Sequence, residues 1–263
     1  MMKRLLVLST LFLLLASFGT YRIDAFSVIK VIGGIRHAQT NKSLFTGDKV
    51  FSNERLKFND QQSKAALINK EKGRIMLRAS RSGIVSEGLM PALPNVSSRA
   101  GALINQIDIE KHFSDKYLIL SGYEAEISPK KFPMDQNHFF FLRYSYQGED
   151  ISKKLNFEEN KLQLNADEIM QVDGKRIELS PGTKMTLFYR NNEEKTSEAI
   201  ALFEPVFANE KDLVQECKLI LREIGEGLDA GAKKEQLLAY LTENYGKPQQ
   251  DNLNNWLHEN LGL

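Results

Sequence analysis

The residues in this chain that are best suited to chemistry, four histidines and one cysteine, are widely dispersed. The histidines are His37, His112, His138 and His258, and none follows the H-x-x-H, H-E-x-x-H or H-x-H spacing of metal ligands. Cys217 is the single cysteine, so it cannot form an internal disulfide. It lies on the apolar face of a predicted helix, which indicates a small buried hydrophobe.

Other catalytic signatures do not occur in the sequence. There is no G-x-S-x-G elbow, and Gly33-Gly34 lacks the spacing of a phosphate-binding loop. The carboxylate pairs Glu158-Glu159 and Glu193-Glu194 fall in predicted loops, whereas a glycosidase needs two acids that face each other across a cleft. We therefore predict no catalytic, cofactor-binding or metal-binding residue. A hydrolase whose site assembles from distant residues stays open as an alternative.

An aromatic strand over residues 139–146 (FFFLRYSY) is the strongest candidate binding feature. Successive side chains of a strand point to opposite faces, so Tyr144 and Tyr146 share one face. The other face carries Phe139, Phe141 and Arg143. One face is expected to build the domain core. As an alternative, Tyr144 and Tyr146 form a ligand-contact surface, and the domain is a carbohydrate- or small-ligand-binding module.

The N-terminus has the pattern of an export signal. Lys3 and Arg4 precede an unbroken apolar run over Leu5–Leu15, which is too short to span a bilayer comfortably. Small residues at Ser17 and Gly19 predict a signal peptide over residues 1–19, with an alternative cleavage after residue 25. An uncleaved anchor is the other interpretation. We expect an exported protein, periplasmic or extracellular, without an integral membrane span after cleavage.

The charge balance excludes several classes of partner. The 263-residue chain has 35 basic and 34 acidic residues, a formal net charge of +1. Removal of Lys3 and Arg4 with the signal peptide leaves 33 basic and 34 acidic residues. Residues 211–263 carry six basic and nine acidic residues, the wrong sign for a surface that reads DNA. We predict no nucleic-acid binding.

The elements that would position any site are mostly short strands. Residues 27–36 predict a first strand with a bend at Gly33-Gly34, and residues 43–77 alternate short apolar pieces with turns every 8–10 residues. This pattern predicts an N-terminal β domain over residues 26–78, a small antiparallel barrel or sandwich.

A family resemblance rests on motifs within residues 30–77. The motifs are Ser43-Leu44, Gly47-Asp48-Lys49-Val50, Ser63-Lys64-Ala65-Ala66-Leu67 and Lys72-Gly73-Arg74. Their order resembles the β-rich domain of FecR-type periplasmic proteins. The resemblance implies an exported, non-catalytic β module that takes part in signalling or protein contacts.

The remainder of the chain predicts a linker, a second β domain and a helical segment. Residues 79–100 are rich in Pro, Gly and Ser, as linkers are. Residues 101–207 predict an antiparallel sandwich or meander, with its best hairpin signal at Asp173-Gly174. In residues 208–263 an apolar residue recurs every three or four positions, which predicts three short amphipathic helices, the third opening at Pro248.

The fold class expected is therefore mainly β, with two small antiparallel β domains and a C-terminal three-helix segment. Our leading hypothesis for the function is an exported non-enzymatic protein that acts through protein–protein contacts. Its partner would be another envelope or extracellular protein, in an assembly or a sensor.

Overall fold

The computed structural model describes residues 23–79 and 102–263. The predicted signal peptide, residues 1–19, lies outside the described residues, as does the predicted linker apart from Ala79. The chain divides into two compact units, residues 1–90 and 91–263. Within the described parts the protein is mainly β, with small sheets and five helices. None of the helices in these parts is long and apolar enough to cross a lipid bilayer.

The described part of the first unit, residues 23–79, contains six short strands. They are β1 (Ala25–Ile32), β2 (Ile35–His37), β3 (Lys49–Phe51), β4 (Leu56–Phe58), β5 (Lys64–Asn69) and β6 (Gly73–Arg78). Four of them form an antiparallel sheet in the order β3-β1-β5-β6, and β2 pairs with β4 in a separate ribbon. The single strand predicted over residues 27–36 is thus two strands, which belong to different sheets and are separated by Gly33-Gly34.

In this unit apolar strand residues form the core, and polar turn residues hydrogen-bond the backbone of the loops. Ile35 and Leu56 from the ribbon pack with Val28, Leu67 and other sheet residues in one core. The carboxylates lie at the turns: Asp48 accepts a hydrogen bond from the backbone N–H of Phe45 at 2.8 Å. Such local caps satisfy the turn backbone, so the few apolar residues of each strand are left to form the core.

The second unit contains eleven strands and five helices among its described residues. The strands are β7 (Asp115–Ile119), β8 (Glu124–Glu126), β9 (His138–Tyr146), β10 (Glu149–Lys154), β11 (Asn156–Glu158), β12 (Lys161–Gln163), β13 (Gln171–Val172), β14 (Lys175–Arg176), β15 (Met185–Asn191), β16 (Thr196–Phe207) and β17 (Lys247–Pro248). The helices are α1 (Gln106–His112), α2 (Ala166–Ile169), α3 (Glu210–Ile224), α4 (Ala230–Tyr245) and α5 (Gln250–Leu261).

A six-stranded sheet in the order β10-β9-β15-β16-β7-β17 is the centre of this unit. Its first four strands are antiparallel: β9-β10 and β15-β16 are hairpins, and β9 pairs with β15 between them. Strand β7, however, pairs in parallel with both β16 and β17, so the sheet is mixed rather than purely antiparallel. The parallel pairs join segments that are far apart in sequence, which the local turn signals could not indicate.

Two smaller antiparallel sheets complete the β structure of the second unit. Strands β11, β12 and β8 form one, and β13 and β14 form a ribbon. The ribbon turns at Asp173-Gly174, where φ is 49° and 74°, so the predicted type I′ turn chemistry is present. Ile169, just before this ribbon, is the last residue of helix α2.

Helix α4 contacts strands β7 and β17 of this sheet, and all three C-terminal helices fall within the second unit. The apolar face predicted from the sequence is buried on α3, with Leu213, Cys217 and Ile220 fully inaccessible. Glu216 is buried beside them and accepts hydrogen bonds from the hydroxyls of Tyr240 at 2.8 Å and Tyr245 at 2.5 Å. These two donors offset the cost of burying a carboxylate between α3 and α4.

Gly246 makes the junction between helix α4 and strand β17 possible. It has a φ of 108° and a ψ of 173°, a backbone region open essentially to glycine alone. A Cβ at this position would lie 2.3 Å from the carbonyl oxygen of Lys116.

Substitution of Gly246 by Ala should therefore lower the free energy of unfolding by more than about 3 kcal/mol. The matched control is Gly148→Ala, because Gly148 has a φ of 87° but no heavy atom within 4 Å of the added Cβ. That control should cost only about 1 kcal/mol of backbone strain. Urea denaturation measures both values, and equal losses would show that the Lys116 contact does not matter.

Candidate functional site

Strand β9 places the two tyrosines of the predicted ligand surface on the inner face of the sheet. Tyr144 is only 3% exposed, and its hydroxyl donates a hydrogen bond to the carbonyl oxygen of Ile169 at 2.6 Å. Tyr146 is partly buried and packs against the same core. The structure corrects the expectation of a contact surface at Tyr144, because its ring and its hydroxyl are both already committed to the core.

The outer face of the same strand carries a cluster that we call the cation–aromatic patch: Phe139, Phe141, Arg143, Lys154 and Phe188. The rings of Phe141 and Phe188 are stacked, with centroids 5.0 Å apart and planes 10° from parallel. The Arg143 guanidinium lies 4.9 Å from the centroid of Phe188 and 5.6 Å from that of Phe141. The Lys154 ammonium lies 4.3 Å from the ring centre of Phe139. These distances are typical of cation–π contacts.

Sheet register assembles the patch from three neighbouring strands. Phe188 of β15 and Lys154 of β10 both pair directly with Phe141 of β9. Directly paired residues share a face of the sheet, so their side chains meet. Ser152 pairs with Arg143 and accepts a hydrogen bond from its Nε at 3.3 Å, which orients the guanidinium over the rings.

The two cations of the patch are open to solvent, whereas Phe141 beneath them is only 7% exposed. Arg143 and Lys154 are both exposed, and no carboxylate among the described residues lies within ion-pair distance of either. The apolar surface continues onto β16, where Leu202 is 56% exposed on the same face. Asp150, two residues before Ser152 on β10, is the acid closest in register. A stacked arginine with unpaired N–H groups is a pre-oriented receptor for a carboxylate.

The side chains of His37, His112 and His138 have contacts that differ from those of a catalytic triad. His37 contacts Glu54, and His138 contacts Asp135 at 3.1 Å. His112 contacts the hydroxyls of Tyr117 and Tyr123. Among the described residues, none of these three histidine side chains is hydrogen-bonded to a serine or a cysteine. Burial raises the pKa of the Cys217 thiol to about 12, which disfavours its thiolate.

His112, Tyr117 and Tyr123 form a buried polar cluster inside the second core. The Nε2 atom of His112 lies 2.8 Å from each tyrosine hydroxyl, and the two hydroxyls are 3.3 Å apart. Burial, together with the positive charge of Lys247, lowers the pKa of His112 from 6.5 to about 4. Burial also raises the pKa of both tyrosines. The neutral forms are therefore favoured, and the cluster is a structural hydrogen-bond network.

A polar cleft of about 520 Å³ lies in the second unit, beside β8 and the start of α3. Its acidic groups already have partners. Glu210 accepts hydrogen bonds from the backbone N–H of Ser121 at 2.7 Å and from its hydroxyl, and Glu168 accepts one from Asn156. In the parts of the chain that the structure describes, no group of three His, Cys, Asp or Glu side chains is placed to hold a metal ion.

No protein-family model, curated protein or solved structure matches this chain. The resemblance to the FecR-type β-rich domain therefore stays a prediction. The geometry itself defines a two-unit, mainly β chain whose most distinctive exposed feature is the cation–aromatic patch.

The lowered pKa of His112 has a measurable consequence for stability. The unfolded state takes up this proton near pH 6.5 and the folded state only near pH 4, so the stability due to neutral His112 is full above pH 6.5 and is lost as the pH falls towards 4. The loss should reach about 3 kcal/mol across this window.

Denaturant unfolding of wild type and His112→Gln at intervals from pH 7 to pH 4 measures this loss. We expect a flatter pH dependence for the variant, whatever its absolute stability. The exposed His258 provides the control, since His258→Gln should keep the wild-type slope. Parallel slopes for wild type and His112→Gln would contradict the assignment.

Proposed function

We propose that this protein is exported and acts without catalysis, by binding another envelope or extracellular protein in an assembly or a sensor. We further propose that the cation–aromatic patch binds an acidic segment of that partner. The observation that carries the proposal is the position of Arg143, stacked on Phe141 and Phe188 without a carboxylate partner among the described residues.

Charge complementarity favours an acidic partner. Arg143 and Lys154 lie over aromatic rings. The rings cover one side of each cation, and the other side faces solvent. An Asp or Glu side chain of a partner would meet them from the open side and form charge-assisted hydrogen bonds. The planar guanidinium loses little conformational entropy in the process because its stacking and its bond to Ser152 already fix it.

The shape of the patch favours a protein over a sugar. Protein interfaces are enriched in aromatic residues and arginine, and they are flat rather than deeply concave. The patch lies on the open face of a sheet, and the faces of its rings are covered by cations rather than exposed. A sugar stacked on these rings would have to displace Arg143 or Lys154, so the carbohydrate-binding alternative is less well supported.

The proposal includes the finer architecture that supports such a role. We propose that the first unit closes as a small barrel or sandwich and that residues 1–19 act as a signal peptide. The shared core of ribbon β2-β4 with the four-stranded sheet supports closure. The hydrolase alternative has no supporting contact among the described residues.

A capture experiment with the full chain tests the patch. Wild-type protein immobilised on beads should retain a partner from envelope extracts, and Arg143→Glu/Lys154→Glu should lower the affinity for it by at least about tenfold. Raising the salt from 0.15 to 0.5 M should weaken wild-type binding, because exposed charges are screened.

The control is Lys175→Glu, which reverses one exposed charge on the β13-β14 ribbon, away from the patch in sequence and sheet. It should bind as wild type does. Circular dichroism confirms that each variant is folded. Equal capture by wild type and the double variant would refute the binding role of the patch. Recovery of no partner by wild type would refute the protein-contact function.

A further inference from the structure

Strand β10 is an open edge of the six-stranded sheet in the second unit. It ends the strand order, and among the described residues β9 is the one strand paired with it. The hairpin between β9 and β10 turns on two residues, Gln147 and Gly148, with φ of 52° and 87°. In a two-residue turn of this kind the flanking residues, Tyr146 and Glu149, form a hydrogen-bonded pair.

The backbone groups of β10 point alternately towards β9 and towards the open edge. The N–H of Leu155 donates to the carbonyl oxygen of Phe140 at 3.0 Å, so the odd-numbered residues of this stretch face β9. The N–H and C=O groups of Asp150, Ser152 and Lys154 therefore point away from the sheet. A second strand that lies antiparallel along this edge would form about six main-chain hydrogen bonds with them.

The charges along β10 complement those of a second copy of the same strand. The three edge-facing residues are exposed, and they lie on the outer face of the sheet because Ser152 pairs with Arg143. A two-fold axis through Ser152, perpendicular to the sheet, keeps this face common to both copies. It places Asp150 of each copy opposite Lys154 of the other. Asp150 has no ion-pair partner among the described residues.

Other registers of the same two strands fit less well. A two-fold axis through Lys153 would place two lysines directly opposite each other, which is destabilising. An axis through Ile151 would oppose Glu149 to Lys153. It would also leave Lys154 facing Gly148 in the turn, so one of the three edge-facing residues would lose its hydrogen bonds. Lysines on an edge strand usually prevent pairing, and an acid at the position that faces Lys154 removes this obstacle.

We propose that two copies of this chain associate through β10, which joins their six-stranded sheets edge to edge into one continuous sheet. Asp150 of the second copy then contacts Lys154 at the rim of the cation–aromatic patch, and Arg143 stays open. The two Arg143 residues lie three strand spacings apart on one face, about 14 Å. The dimer goes beyond the proposed function and does not depend on it, because a monomer also displays the patch.

Sedimentation equilibrium of the full chain tests the dimer. An edge of this length buries less area than a standard interface, so we expect a dissociation constant in the micromolar range, on the order of 10 µM. Asp150→Lys sets lysines opposite each other twice and should weaken association at least about tenfold. The exchange Asp150→Lys/Lys154→Asp recreates both opposite-charge pairs and should restore association.

The matched control is Lys175→Asp, an exposed charge reversal on the β13-β14 ribbon, which should associate as wild type does. Circular dichroism confirms that each variant is folded. Restoration by the exchange variant distinguishes direct charge pairing from a loss of structure.

Cysteine cross-linking reports the register. The Cα atoms of Ser152 and its copy would be about 5.5 Å apart across the axis, within the range of a disulfide. Mild oxidation should therefore give a covalent dimer of Ser152→Cys but not of Asp150→Cys, because the two Asp150 residues would be more than about 13 Å apart. The native Cys217 is fully buried and should not compete.

A wild-type chain that stays monomeric up to millimolar concentration would overturn the proposal. Unchanged association of Asp150→Lys would place the interface elsewhere, as would an exchange variant that folds but does not associate. Cross-linking of Asp150→Cys as readily as of Ser152→Cys would contradict the register. The capture experiment measures the patch separately, so failure of the dimer and failure of the proposed function are distinguishable.

Discussion

The alternation of side chains along strand β9 is the constraint on which the second unit depends. Its inner residues Phe140, Leu142 and Tyr144 are at most 3% exposed, and they join residues from every sheet of the unit in one core. A period of two then leaves the intervening residues no position except the outer face. A slip of one residue in the register of β9 would bury Arg143 and expose Tyr144. The register that forms the core therefore also displays the cation–aromatic patch.

Much of the β structure was accessible from the sequence because its signals are local. Strands β3 and β4 fall within residues 43–77, where the sequence predicts short strands joined by turns, and the turn at Asp173-Gly174 has the backbone that its residue types require. Strand β10 was not predicted, because Glu149–Lys154 has little apolar alternation and is held by backbone pairing with β9. Pro248, expected to open a helix, instead lies in β17, where its partner is a strand about 130 residues away in sequence. Such long-range pairing leaves no local pattern.

The candidate site, too, could be predicted only in part, because some of its features depend on residues that are distant in sequence. Periodicity separates the residues of β9 into two sets, but it does not say which set faces the core, since both sets are aromatic. That choice depends on Leu187 and Met185 of β15, which are fully buried against the inner set. Phe188 and Lys154 come from neighbouring strands, so the patch exists only after the sheet has formed. The one available cue was the alternation of Met185–Arg190, which places Phe188 opposite to Leu187.

Overall neutrality conceals a separation of charge within the second unit. A chain with a net charge of +1 exerts no bulk attraction on nucleic acid or on an anionic membrane, because net charge depends on composition and not on the fold. Recognition, however, depends on the groups within a Debye length of a partner, about 8 Å at physiological ionic strength. On that scale Arg143 and Lys154 form a cationic surface, while Glu126 and Asp251 form an anionic cleft on other elements of the same unit. The second unit therefore carries a cationic surface and an acidic cleft whose local charges the net charge of +1 does not reveal.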